Sequence, residues 1–280
     1  MGIRVSEELV RGWSELRYEP TAKRVRARVG GQTWVDSTRA VLVWEPGRIV
    51  PSYAVPDSDI DADLLPALPG DAPFHPVSVS AGGPPVLDPR TEFAAHTCAG
   101  EPLSLRRPQP DRALVLDGAG FRPADAGLAD MVALDFAIFD EWLEEDEPIV
   151  GHPRDPFKRI DVRRSGRRVV VGVGGVTLAD STRAQVLFET WLPPRFYLPR
   201  DDVRMDLLEP STTRTTCAYK GHAAYFSATV DGHTHRDLAW TYAHPLSDAT
   251  QVCDHVAFFN ERVDVNLDGE PLSRPVTPWS

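Results

Sequence analysis

Two stretches decide the architecture: GGQTWVDSTRA at Gly30–Ala40 and GGVTLADSTRA at Gly174–Ala184. Extending them without gaps aligns Lys23–Glu45 with Arg167–Glu189, 12 identities in 23 positions and a spacing of 144 residues. Such self-similarity at a fixed offset marks an internal repeat. The match continues with Val55–Leu65 against Leu198–Leu208, His96–Gly100 against Thr215–Tyr219, and Phe136–Glu141 against Val256–Glu261. The spacing shortens between the Val55–Leu65 and His96–Gly100 blocks, which places an insertion at about residues 66–90. Its prolines and glycines read as an irregular surface loop. The expected organisation is an N-terminal helical extension over 1–17, a divergent first repeat over 18–154 and a more complete second repeat over 155–280.

Local patterning within each repeat is that of strands. Val169, Val171 and Val173 share one face by the two-residue period, Gly174-Gly175 supplies a hairpin turn, and Val176 and Leu178 return on the partner. Asp231-Gly232 and Asp268-Gly269 read as further hairpin turns. Only Ser6–Leu16 and the neighbourhood of Asp201–Leu208, where Asp201 could cap free amides, read as helical. The fold class is therefore all-β with short helices, twice over.

Composition narrows the partners. A net charge of −11 over 280 residues repels phosphate backbones and anionic lipid, so neither nucleic acid nor membrane is expected as a partner. The arginine run Arg163, Arg164, Arg167 and Arg168 is the main candidate for a basic groove, and its plainer reading is a solvated, charged strand edge that discourages pairing. The N-terminus lacks the apolar core of a secretory signal. Three cysteines, Cys98, Cys217 and Cys253, make no CxxC motif and point to a reducing cytoplasm. Of 30 basic residues only three are lysine, a bias expected of a GC-rich bacterial genome.

The ordered motifs GGVTLADSTRA, FYLPRDDVRMDLLEPS, TTCAYKGHAAYFS and AFFNERVDVNLDGE resemble a bacterial family catalogued as domain of unknown function 427. The resemblance implies a β-tent in each repeat, two small antiparallel sheets leaning together. The family carries a label suggesting nucleotidyl transfer. The clustered carboxylates that would hold magnesium against a triphosphate are not evident in the sequence.

Comparing the repeats directs attention to the second. Arg200 stands where the first has Asp57, Arg204 where it has Asp61, and CAYKGHAAYFS is replaced by CAGEPLSLRRP. The leading expectation is a pocket for a small polar or anionic molecule, lined by Arg183, Glu189, Arg200, Lys220, Tyr225 and Trp240, with Arg183 paired to Glu189. A plainer reading makes Asp180-Ser181-Thr182-Arg183 a structural bend, because the same turn persists in the eroded copy. Cys217 and Lys220, three residues apart, allow an enzyme reading by thiol or acid–base chemistry. A third reading is an interaction module recruiting a partner through the proline-rich insert or an exposed sheet edge. His233, His235, Cys253 and His255 are donors of the kind zinc takes, although nothing brings the two pairs together. No cofactor is expected, and Asp57, Asp59, Asp61 and Asp63 read as a solvated acidic turn rather than half a calcium loop.

Overall fold

The computed structural model describes residues 2–70, 76–78, 85–108 and 113–280. The chain divides into two compact units, with the boundary between Asp155 and Pro156. The first opens with a short helix α1 (Val5–Arg11) and continues with β1 (Arg17–Pro20), β2 (Val25–Val29), β3 (Gln32–Ser37), β4 (Val41–Trp44), β5 (Ser52–Pro56) and β6 (Asp63–Pro66). After the short strands β7 (Pro76–Ser78) and β8 (Pro85–Leu87) follow β9 (Gly100–Arg107), β10 (Leu114–Pro123), β11 (Met131–Leu134), β12 (Glu141–Glu144) and β13 (Glu147–Ile149). The second unit contains β14 (Ile160–Arg164), β15 (Val169–Val173), β16 (Val176–Ser181), β17 (Gln185–Glu189), β18 (Arg195–Pro199) and β19 (Leu208–Cys217). It ends with β20 (Gly221–Val230), β21 (His233–Thr241), β22 (His255–Phe258), β23 (Asp264–Leu267) and β24 (Glu270–Pro271). The protein is all-β, and no helix among the described residues is long and apolar enough to cross a membrane.

Each unit joins a seven-stranded and a four-stranded antiparallel sheet. The large sheets run β1-β4-β5-β11-β10-β9-β6 and β14-β17-β18-β22-β21-β20-β19. The small ones run β13-β12-β2-β3 and β16-β15-β23-β24. Strand for strand the two orders correspond. So do irregularities: the β2–β3 ladder slips between Ala27 and Arg28, and the β15–β16 ladder between Val171 and Gly172, 144 residues on. Gly174 and Gly175 carry φ of 58° and 80°, the left-handed conformations that a tight two-residue hairpin needs.

Alternation along the strands builds the core. In the second unit Val169, Val171, Val173 and Leu178 of the small sheet meet Phe196, Leu198, Phe226, Ala228 and Val256 of the large sheet. The opposite face of that large sheet carries Leu187, Tyr197, Trp240 and Tyr242, covered in part by Ala249 and Val252 of the turn before β22.

The repeated Asp-Ser-Thr-Arg bend has the same hydrogen bonds twice. Ser181 donates to Asp202 at 2.6 Å and Arg183 reaches the same carboxylate at 2.5 and 3.1 Å. In the first unit Ser37 donates to Asp59 at 2.7 Å and Arg39 at 2.5 Å. Asp201 caps nothing; the short turn after β18 contributes Asp202 instead. The acidic turn of the first unit is likewise built into ion pairs: Asp57 with Arg122, Asp59 with Arg39, Asp61 with Arg107 and Asp63 with Arg106. The insert is less irregular than its composition implies. β7 and β8 form a two-stranded ribbon, and the Leu87 N–H donates to the Gly47 carbonyl at 2.9 Å. Its residues 71–75 and 79–84 lie outside the described set.

Because each bend is held by a charge-assisted carboxylate, Asp202→Ala and Asp59→Ala should each cost about 1–2 kcal/mol of stability. Urea unfolding of both variants tests this. A loss at only one site would mean that the two bends differ in role.

Candidate functional site

The second unit brings together some of the residues singled out in its sequence and separates others. Glu189 ends β17, and Lys220 sits in the turn between β19 and β20. The Lys220 ammonium donates to Glu189 Oε2 at 2.5 Å, and Lys158 stands 3.2 Å from Oε1. Both Glu189 and Lys220 side chains are buried. Cys217, Tyr242 and Tyr197 lie within electrostatic reach of Lys220. Trp240 Nε1 donates to the Tyr197 hydroxyl at 3.1 Å, Trp240 leans on Phe259, and the Tyr225 ring stacks with Phe259 while its hydroxyl meets Thr215. Four of the six expected lining residues, Glu189, Lys220, Tyr225 and Trp240, thus share one face of the large sheet.

Arg183 and Arg200 are elsewhere. Arg183 does not pair with Glu189: six residues of extended chain, about 20 Å, separate them along the segment that forms β17. Its partner is Asp202. Arg200 is exposed and lies 5.5 Å from the ring of Phe226, which belongs to the core between the sheets. The two metal-ligand pairs are also apart. Thr241 pairs with Val256 across β21 and β22, and Tyr242 bridges to Cys253, so His235 lies six residues, about 20 Å, down its strand from the Cys253–His255 end. Among the described residues no three His, Cys, Asp or Glu side chains gather in a group that could hold a metal ion.

Electrostatics define what the Lys220 cluster can do. Burial opposes the charge on Glu189, yet Lys220 and Lys158 hold its carboxyl down at about 2. Burial likewise disfavours the Lys220 ammonium, but Glu189 outweighs it and holds the lysine well above its ordinary range. Burial pushes Tyr197 up to about 12 and Tyr242 well above the usual phenol value. Beside Glu189, the Lys220 ammonium is held in its charged form.

The first unit is not stripped of polar groups at the matching place. Glu45, 144 residues before Glu189, is buried, with His96 Nδ1 at 3.0 Å, the Thr97 N–H at 2.7 Å, Cys98 Sγ at 3.8 Å and Arg48 at 3.9 Å. Burial opposes its ionisation, and these partners together still hold it below the ordinary carboxylate range. Burial and the Glu45 charge push the Cys98 thiol up to about 12. The identity of Glu45 and Glu189 in the aligned segments was a legible signal for this cluster.

A different feature of the second unit has the shape of a ligand site. A cleft of about 630 Å³ opens between the two sheets, beside the edge strand β14. Its walls are apolar, with Val186, Phe188 and Phe196 from the large sheet and Val265 and Leu267 from the small one. Leu272, Ser273 and Pro275 of the C-terminal tail close a further side. That tail is anchored by Thr277, which donates to Glu261, and by Trp279, whose ring lies 5.9 Å from the Arg195 guanidinium. Arg195 and Glu261 form a buried bidentate pair at 2.6 and 2.7 Å. Arg163, Arg164 and Arg167 rim the cleft. Arg163 pairs with Asp161 at 2.9 Å and Arg167 with Asp268 at 2.6 Å. For the exposed Arg164 no ion pair or hydrogen bond to its side chain is present among the described residues. None of the six residues expected to line a pocket contributes to this cleft.

Lys220→Met should cost roughly 2–4 kcal/mol of second-unit stability at pH 7, because it leaves Glu189 buried with Lys158 alone. The pH dependence has a definite sign. A carboxyl held at about 2 when folded stabilises the protein above the unfolded value near 4.5, and that contribution is lost as pH falls from there toward 2. The stability advantage of the native chain over Glu189→Gln should therefore shrink across that window in urea unfolding. A constant difference would show that the pair is not what sustains it.

The family profile described as "Domain of unknown function (DUF427)" matches residues 17–71 and 161–269. The second segment spans nearly all strands of the second unit, and the first stops within the insert. No curated protein matches the chain. With more than half of its residues covered, the chain belongs to the DUF427 family.

Proposed function

We propose that the protein binds a small anionic molecule with an apolar body, and that the second-unit cleft is where it binds. The observation that carries this reading is the combination of apolar walls and an arginine rim around about 630 Å³. Ligand sites are commonly concave, mostly apolar and supplied with a few convergent polar groups. A guanidinium with its fork unengaged is suited to a carboxylate or phosphate oxygen pair, and Arg164 is in that state. Against an overall charge of −11, these arginines form a local exception. The Lys220 face is the weaker candidate, since its lysine is already committed to Glu189 inside the packed aromatic cluster.

The same reading treats the chain as a tandem pair. The corresponding strand orders and the two segments matched by one family support this. A cytoplasmic setting fits the three free cysteines.

Titration calorimetry with decanoate tests the site. Binding should weaken at least tenfold in an Arg163→Glu, Arg164→Glu double variant and stay unchanged in Arg214→Glu, which lies outside the cleft. Equal affinity in all three proteins would refute the assignment.

A further inference from the structure

Strand β14 is the terminal strand of its sheet, and the cleft opens along it. The hydrogen-bond phase of that strand follows from its flanks. The Thr190 N–H donates to the Arg159 carbonyl at 3.1 Å, and the Ser165 N–H to the Ala184 carbonyl at 2.9 Å. In an antiparallel ladder, hydrogen-bonded and non-bonded pairs alternate. Asp161 and Arg163 therefore bond inward to β17, while Ile160, Val162 and Arg164 turn their N–H and C=O groups away from the sheet. Among the described residues these outward groups meet only a long 3.5 Å contact, from Arg163 Nη1 to the Val162 carbonyl.

An unpaired edge is a template for another strand. This one offers more than backbone groups. A strand laid along β14 continues the pleat, so every second side chain of the newcomer falls on the sheet face that carries Val186, Phe188 and Phe196. Phe188 is 46% exposed and Leu272, across the cleft, 39%. Both are large apolar surfaces awaiting cover. The intervening side chains fall on the opposite face, where Arg164 stands unengaged at the end of β14, while Arg163 shares the cleft face with Val186. Basic strands and the like-charged edge of a second copy are repelled here, and carboxylates are attracted.

We propose that β14 and the adjoining cleft dock an extended segment of another protein, one in which apolar residues alternate with acidic ones, by strand addition. This rests on the reading of the cleft as a ligand site. It adds that the backbone edge is part of the recognition surface, so the site also accepts an extended polypeptide whose acidic and apolar side chains meet the same chemistry.

Fluorescence anisotropy with the full chain and a fluorescein-labelled octapeptide of alternating valine and glutamate provides the test. The glutamate peptide should bind, its lysine counterpart should not, and Arg164→Glu should weaken binding at least tenfold. The decisive arms are two N-methylated peptides, one methylated at the valines and one at the glutamates. Because only alternate N–H groups face an added strand's partner, one pattern should abolish binding and the other leave it within about twofold. Equal effects of the two patterns, undiminished binding to Arg164→Glu, or binding of the lysine peptide would overturn strand addition. If decanoate binds and no peptide does, the inference fails while the cleft remains a ligand site. If neither binds, both fall.

Discussion

A single carboxylate in each unit, Asp59 or Asp202, fixes the passage from the small sheet to the large one. Ser181 ends a small-sheet strand, Arg183 leads into a large-sheet strand, and Asp202 lies in the turn that leaves the sheet; one side chain ties all three. The bend cannot open without releasing a hydroxyl and a guanidinium together. With the crossover fixed, the valines of the small sheet are held over the large sheet's inner face. The duplicated bend is therefore a determinant of architecture, and its presence in both halves reflects a shared geometrical need.

The outer faces of the large sheets show how two halves with one topology part company. Both keep a buried glutamate at the end of the corresponding strand, so both need cationic or donating company there. The first unit supplies His96, Arg48 and a backbone amide, and the second supplies Lys220 and Lys158. Desolvation sets the requirement, and different residues satisfy it. A thiol stands near the glutamate in the first unit and near its lysine partner in the second; in the first, burial and the Glu45 carboxylate together push it up to about 12. Preserved sequence at such a position marks an electrostatic demand before it marks chemistry.

Much of the fold was legible because it is written locally. Paired glycines, Asp-Gly turns, alternating valines and a bend repeated at a fixed offset each specify their own conformation within a few residues. The site was less legible because it depends on register across the sheet. Glu189 was recognisable as important, but its partners come from 31 residues on either side, Lys158 and Lys220, and nothing local excludes Arg183. The Arg195–Glu261 pair, 66 residues apart, left no trace in the sequence pattern. The cleft draws its lining from the edge strand, the next strand, a Pro-Pro loop, the small sheet and the tail. Its sequence signature was the arginine run that begins on β14 and continues toward β15, which is also what a protected edge looks like.

One wall of that cleft is built differently from the others. Leu272, Ser273 and Pro275 belong to irregular chain, held at one end by the Leu272 N–H donating to the Val265 carbonyl at 2.8 Å and at the other by Thr277 and Trp279 against the Arg195–Glu261 pair. The side chains at 273 and 275 belong to no strand, so changes there leave the ladders of both sheets in place. The tail is thus the part of the cleft whose shape can change while the β framework behind it stays unchanged.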